Sequence, residues 1–130
     1  MKGDFQPMVT LMKRILVVDD DLMVRDLLRA TLSRNGYDAN AASGWKEAKQ
    51  IVGSEPPDIV VLDMYMPDVD GLEVLAHLRK ALPEVRIIAM SGGMGKGNLL
   101  ATATKLGAGW SLEKPFTPQE LLQAIEALTD

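Results

Sequence analysis

Short apolar runs alternate with segments of helical periodicity from residue 13 onward, and this alternation constrains the fold more than any other feature. Strands are predicted at Ile15–Val18, Tyr37–Ala42, Ile59–Leu62, Ile87–Met90 and Trp110–Leu112. The first, third and fourth runs lack a polar–apolar alternation, which is typical of strands buried on both faces. The order βαβαβαβαβα therefore predicts an α/β fold: a doubly wound, five-stranded parallel sheet with five helices and right-handed crossovers.

Helix start and stop signals bound the helical segments. The first helix is predicted over Leu22–Asn35, with Leu27 in its apolar stripe. The second is expected to begin after a Ser43 N-cap, since a hydroxyl at that position can satisfy a free backbone amide. The last begins with a capping box formed by Thr117 and Glu120. Each helix is thus predicted to be amphipathic, with one side on the sheet.

Length and composition favour one domain. The chain has 130 residues, of which 47% are hydrophobic and 25% charged, as in ordinary globular proteins. A net charge of -4 argues against direct binding of nucleic acid. The absence of cysteine excludes disulfide and thiolate–zinc scaffolds. Without a signal peptide or an apolar run of about 18 residues, a cytoplasmic location is expected.

The first eleven residues are interpreted as an extension to the domain. They contain Gly3 and Pro7 and have no useful periodicity, and Met12 could itself begin a chain. Residues 1–11 are therefore expected to be a disordered tail or a cloning remnant. Residues 12–130 are expected to form the folded domain.

Carboxylates follow two of the predicted buried strands. Asp19 and Asp20 come directly after the first strand, and Asp63 follows the third. In doubly wound sheets these strands are commonly neighbours, and their carboxyl ends form the binding crevice. Three carboxylates at one place repel each other unless a cation lies among them. Oxygen ligands favour a hard ion, so the pattern predicts a Mg²⁺ site.

Two more polar side chains follow the remaining strands. Ser91 ends the fourth strand and Lys114 follows the fifth. Each residue alone is more typical of a turn or a solvated charge, and an Asp after a strand is often a helix N-cap, as Asp21 is predicted to be. Together they suit a phosphoryl group carried on Asp63, because phosphoryl transfer requires mainly positioning and charge neutralisation.

Four segments of the chain resemble those of a known family, and the resemblance covers residue 13 to the C-terminus. They are, in order, ILVVDDD, IVVLDMYMPDVDG, IIAMSGG and EKPF. With these segments the chain resembles the receiver domain of two-component response regulators, the chemotaxis-regulator type with a flavodoxin-like (βα)5 fold. The resemblance implies that Asp63 is the phosphoacceptor and that Lys114 binds the phosphoryl group. It also implies that Ser91 is the switch hydroxyl. The Lys114-Pro115 peptide bond matches one that the family often holds in cis.

The resemblance further implies a metal and partners. Mg²⁺ would be bound by Asp20 and Asp63, by Asp19 through water, and by the backbone carbonyl of Tyr65. A histidine kinase or histidine phosphotransfer protein would phosphorylate Asp63. The output would be a downstream effector protein on the face of helix four, strand five and helix five. Beyond its own phosphorylation and slow dephosphorylation, the chain is not expected to be an enzyme, nor to bind nucleic acid or membrane.

Alternative functions remain open. The chain could be a receiver fragment of a larger response regulator or hybrid histidine kinase. An aspartyl-phosphate hydrolase of related fold usually has an acid two residues after its nucleophile, where this chain has Tyr65. A third possibility is a receiver that binds its partner without phosphorylation. The presence of Asp63 and Lys114, together with the acidic pair Asp19 and Asp20, argues against it.

The fifth strand departs from the family pattern. Many receivers carry an aromatic residue where this chain has Ser111, and Trp110 lies one residue earlier. Because neighbouring residues of a strand point to opposite faces, Trp110 cannot replace that aromatic residue and is open to interpretation as core packing. The switching signal is therefore expected to pass through the loop Gly92–Gly97 and helix four, Asn98–Leu106. His77, the one histidine, is predicted to have a surface or helix-packing role.

Overall fold

Parallel pairing joins five strands into one sheet in the order β2-β1-β3-β4-β5. The strands are β1 Arg14–Val18, β2 Asp38–Ala42, β3 Ile59–Asp63, β4 Arg86–Ser91 and β5 Trp110–Glu113. The structure, a computed structural model, describes residues 13–66, 69–92 and 97–129. Strands β1 and β3 are direct neighbours, which confirms the predicted convergence of their carboxyl ends. Residues 1–12 and the centre of the loop Gly92–Gly97 lie outside the described residues.

Five helices alternate with the strands and cover both faces of the sheet. They are α1 Leu22–Arg34, α2 Trp45–Ser54, α3 Gly71–Ala81, α4 Gly97–Lys105 and α5 Pro118–Thr129. One core cluster contains Leu32 of α1 and Ile125 of α5, whereas the other contains Val52, Leu75 and Ala103 from α2, α3 and α4. Two helices therefore cover one face and three cover the other, as the predicted doubly wound arrangement requires.

The central strands contribute to both cores. In β1, Ile15 and Val17 pack into the core beneath α1 and α5, whereas Leu16 and Val18 pack into the opposite core. All four side chains are essentially inaccessible to solvent. This two-sided burial is the physical reason why the run lacks polar alternation.

Helix α1 begins at an aspartate cap, as predicted. The Asp21 carboxylate accepts hydrogen bonds from the backbone amides of Met23 and Val24, at 2.9 and 3.4 Å. The helix ends one residue earlier than predicted, at Arg34, with Asn35 as its C-cap. Gly36 then adopts a φ of +90°, a conformation that glycine accepts without steric penalty.

The cap of α2 differs from the prediction. The N-cap is Gly44, not Ser43, and it makes no side-chain cap hydrogen bond. Instead, the Ser43 amide and hydroxyl donate to the Glu47 carboxylate at 2.7 and 3.2 Å. The Glu47 carboxylate thus reaches past the N-cap to the residue before it, whereas in a capping box it would bond the N-cap amide. In α5 the predicted capping box forms: the Thr117 amide donates to Glu120 at 2.7 Å, and the Glu120 amide donates to the Thr117 hydroxyl at 3.1 Å.

Leu27 and Trp110 are exposed at the surface of the fold. Leu27 was predicted in the buried stripe of α1, but 58% of its surface is exposed, because the helix rests on the sheet through Leu28, Thr31 and Leu32. Trp110 is 41% exposed, so its interpretation as core packing is wrong. Its strand is an edge of the sheet, where a large side chain has neighbours on fewer sides.

Gly71 begins α3 where the helix approaches the backbone after β3. A Cβ atom at this position would lie 2.4 Å from the carbonyl oxygen of Met64. Gly71 has no positive φ, so the position requires glycine for space. Between β3 and α3, Tyr65–Met66 also pairs antiparallel with Val69–Asp70. Close packing here fixes the segment that directly follows Asp63.

The Trp45 and His77 rings stack on each other, with centroids 5.1 Å apart and an interplanar angle of 9°. This confirms the predicted helix-packing role of His77, since the pair joins α2 to α3. Among the helices in the described part of the chain, none has the length and apolar character needed to cross a membrane.

Candidate functional site

Asp19 lies immediately after β1 and has no exposed surface. Its backbone amide donates to the carbonyl of Ala42 at 3.1 Å, which continues the pairing of β1 with β2. Its Oδ1 accepts from the Asp21 amide at 2.9 Å, and its Oδ2 accepts from Lys114 Nζ at 2.7 Å. Both carboxylate oxygens therefore have partners, which is what makes a buried charge tolerable.

Asp63 is the last residue of β3 and is almost fully buried. Its Oδ1 accepts from the Tyr65 amide at 3.0 Å, and its Oδ2 lies 3.4 Å from Lys114 Nζ. Burial raises the pKa of Asp63 above its ordinary value, and repulsion from Asp19 adds to the rise; the Tyr65 hydrogen bond and Lys114 oppose it. The structure thus holds the predicted nucleophile in a site where its negative charge is incompletely compensated.

Asp20 completes the acidic cluster. One ligand oxygen from each of Asp19, Asp20 and Asp63 lies within 4.8 Å of the others. Asp20 is exposed, and within the described residues its carboxylate has no hydrogen bond or ion pair. An acidic cluster with one unengaged carboxylate facing solvent fits a hard divalent cation, because its donors are all oxygens.

Lys114 connects the cluster to the end of β5. Burial alone would lower the pKa of Lys114, but the hydrogen bond to Asp19 and the negative charges of Asp63 and Asp19 outweigh it, so its pKa is raised. The Lys114 amide donates to the Ser91 carbonyl at 2.6 Å. The following peptide bond to Pro115 is cis, as the resemblance implied. The ammonium group is therefore held in place both by its backbone and by two carboxylates.

Ser91 and Tyr65 lie at the same end of the sheet. Ser91 is fully buried as the last residue of β4, paired with Glu113 of β5. The Tyr65 side chain is 53% exposed, while its amide faces Asp63. The structure thus brings the predicted side chains of Asp19, Asp20, Asp63 and Lys114 together at this end of the sheet. Ser91 is joined to them through its backbone hydrogen bond with Lys114.

One contact of the site had no counterpart in the sequence motifs. Arg25 Nη1 donates to the backbone carbonyl of Asp19 at 2.9 Å. Arg25 lies one helical turn after the Asp21 cap, and its amide donates to the Asp21 carbonyl at 3.0 Å. The four-residue spacing between Asp21 and Arg25 is visible in the sequence. An arginine on the first turn of a helix is usually solvated, however, so the spacing alone does not indicate a contact with Asp19.

Comparison with known proteins identifies the family to which this site belongs. The response regulator receiver domain family matches residues 15–126. The response regulator MprA of Mycolicibacterium vanbaalenii is 43% identical over 115 residues, which cover 88% of this chain and 49% of that protein. MprA of Mycobacterium ulcerans is 42% identical, with the same coverage of each chain. The chain therefore spans about half the length of the curated relatives it matches.

Solved structures agree with this match. A CheY-like receiver domain protein from Methanospirillum hungatei has a TM-score of 0.83 at 28% identity, covering 90% of this chain and 93% of that one. The receiver domain of NtrX from Brucella abortus has a TM-score of 0.82 at 32% identity, covering 87% and 95%. These matches confirm the predicted flavodoxin-like fold of this chain. The chain belongs to the response regulator receiver domain family of two-component signalling.

Proposed function

We propose that this domain, residues 12–130, is a phosphoacceptor receiver that is phosphorylated on Asp63, with residues 1–11 as an extension. The observation that carries the proposal is the Lys114 ammonium shared between Asp19 and Asp63, at 2.7 and 3.4 Å. A buried carboxylate beside a fixed cation can act as a nucleophile, and the cation is in place for the negative charge that the reaction brings.

A divalent cation fits the remaining acidic groups. Asp20 and Asp63 would be its direct carboxylate ligands, together with the backbone carbonyl of Tyr65. Asp19 would act through water, because its bond to the Lys114 ammonium is the shorter one, at 2.7 Å against 3.4 Å for Asp63. When bound, Mg²⁺ would neutralise charge on the transferring phosphoryl group. The geometry of the cluster supports this division of roles between the two neighbouring acids.

The proposed reaction forms one bond and breaks one. An Asp63 carboxylate oxygen attacks phosphorus of a phosphohistidine, the phosphorus–nitrogen bond breaks, and the histidine nitrogen leaves with its electron pair. Lys114 pairs with the phosphoryl oxygens, and the Ser91 hydroxyl donates a hydrogen bond to them in the switched state. Tyr65 at the second position after Asp63 supplies no acid for rapid hydrolysis, which disfavours an aspartyl-phosphate hydrolase.

The donor would be a histidine kinase or a histidine phosphotransfer protein. The output would be an effector protein on the face of α4, β5 and α5, or a domain of the same protein if this receiver is part of a longer response regulator or hybrid kinase. The half coverage of the curated relatives favours the longer arrangement. We do not expect this domain to contact nucleic acid directly or to bind membrane.

Phosphorylation can be tested with acetyl phosphate. Wild-type protein incubated with acetyl phosphate and Mg²⁺ should gain the mass of one phosphoryl group, whereas Asp63→Asn should gain none. Asp26→Asn is the matched control, because Asp26 is an exposed carboxylate on α1. A full mass gain in Asp63→Asn would refute the assignment.

A further inference from the structure

Arg25 is attached to the loop between β1 and α1 at two points. Its guanidinium donates to the Asp19 carbonyl at 2.9 Å, and its backbone amide donates to the Asp21 carbonyl at 3.0 Å. Asp21 in turn caps α1, so the residues on both sides of Asp20 are held by groups of the first helical turn. Arg25 itself is partly buried, which limits the freedom of its side chain.

Asp20, by contrast, is positioned by its backbone alone. Its carboxylate has no hydrogen bond or ion pair within the part of the chain that the structure describes. The Asp19 carbonyl and the Asp20 amide belong to the same planar peptide group. φ of Asp20 is the rotation about the bond that leaves this plane, so the hydrogen bond from Arg25 to the carbonyl restrains the backbone conformation from which the Asp20 side chain projects.

We infer that Arg25 is a positioning residue for the divalent-cation site: it fixes the Asp19–Asp20 peptide plane and thereby holds the unpartnered Asp20 carboxylate toward Asp63. The inference rests on the proposed function, since it concerns the same site. Groups that orient metal ligands typically contribute about 10- to 100-fold to metal affinity when they are intact. We expect an effect near the lower end, because Arg25 acts through a backbone group.

The chain offers a matched control for the charge of Arg25. Arg29 lies one turn further along α1, is exposed, and makes no hydrogen bond or ion pair within the described residues. Arg29→Met therefore removes the same charge from the same helix without touching the loop. Arg25→Lys makes the converse change, since it keeps the charge but lacks the reach and planar fork of a guanidinium.

Mg²⁺ titrations of the uniformly ¹⁵N-labelled protein, followed by amide shifts in NMR spectra, test the inference. Arg25→Met should weaken Mg²⁺ binding about tenfold. Arg25→Lys should also weaken it, and Arg29→Met should leave it unchanged. The amide of Asp21, which donates to Asp19, should exchange with solvent faster in both Arg25 variants without Mg²⁺. Wild-type affinity in Arg25→Met would overturn the inference, as would equal weakening by Arg29→Met, which would indicate charge alone.

Failure of the inference and failure of the proposed function give different results. If Asp20→Ala abolishes Mg²⁺ binding while Arg25→Met does not affect it, the cation site stands and the role of Arg25 is wrong. If wild-type protein shows no Mg²⁺-dependent shifts, the proposed function falls and the role of Arg25 falls with it. Should Arg25→Met not fold, Arg25→Lys decides, because wild-type affinity in that variant would equally overturn the inference.

Discussion

Lys114 donates a 2.7 Å hydrogen bond to Asp19, a carboxylate with no exposed surface. The distance from the same ammonium to Asp63 is longer, at 3.4 Å. In this state the lysine therefore serves mainly to neutralise the buried acid of the pair, and only partly to neutralise the proposed phosphoacceptor. The two neighbouring acids, Asp19 and Asp20, consequently have different roles in the stability of the metal-free protein.

Asparagine substitutions should separate those roles in thermal unfolding without Mg²⁺. Asp19→Asn removes the charge that Lys114 neutralises and should lower the free energy of unfolding by about 1–2 kcal/mol. Asp20→Asn removes an unpaired acid from a cluster of like charges and should raise it. Adding Mg²⁺ should stabilise the wild-type protein but not Asp20→Asn. Equal effects of the two substitutions would contradict the division of roles.

The pH dependence of stability should report the raised pKa of Asp63. Its folded-state pKa lies above its ordinary value of 3.8, so the folded protein holds this proton more tightly than the unfolded chain. Stability from this group is therefore present below the ordinary value and is lost as pH rises through the folded value. Asp63→Asn should match the wild-type free energy of unfolding near pH 3 and exceed it at neutral pH. Urea unfolding of both proteins across this range, without Mg²⁺, measures the difference, and a constant difference would rule the explanation out.

Much of the fold could be predicted because its signals are local and repeated. Short uninterrupted apolar runs such as Ile59–Leu62 are typical of strands buried on both faces, and the acids at their ends mark one edge of the sheet. Asp19, Asp20 and Asp63 could be placed together from strand order alone, without knowledge of any side-chain contact.

The remaining features depend on distances that a sequence does not encode locally. The exposure of Leu27 follows from how narrowly α1 rests on the sheet, and the contact of Arg25 with Asp19 follows from the path of one loop. Gly71 lets α3 approach the Met64 backbone, a closeness that no spacing in the sequence reveals. Such close approaches arise from packing between elements, and amino-acid spacing gives no measure of them.

Gly71→Ala should destabilise the protein strongly. Its Cβ would lie 2.4 Å from the Met64 carbonyl oxygen, and a backbone atom cannot move aside as the end of a side chain can. We expect a loss of about 3 kcal/mol in the free energy of unfolding. Gly53→Ala in α2 is the control: its Cβ meets nothing within 4 Å, so it should stabilise the helix by about 0.5–1 kcal/mol. Chemical denaturation measures both, and a neutral Gly71→Ala would show that Met64 yields easily.

The final prediction concerns the path of the switching signal. Ser111 pairs with Ala89 and Trp110 pairs with Ile88, neighbouring strand residues whose side chains point to opposite faces of the sheet. Trp110 thus faces the side of the sheet covered by α1 and α5, and Ser111 has too little bulk to fill space on the other side.

A phosphoryl group adds roughly -1.5 to -2 units of charge at Asp63 and attracts the hydroxyl of Ser91, which ends β4 just before α4. Beryllofluoride, a phosphoryl mimic, should therefore change hydrogen exchange in α4, Gly97–Lys105, more than at Trp110, and should change neither in Asp63→Asn. Changes confined to β5, with α4 unaffected, would contradict this path.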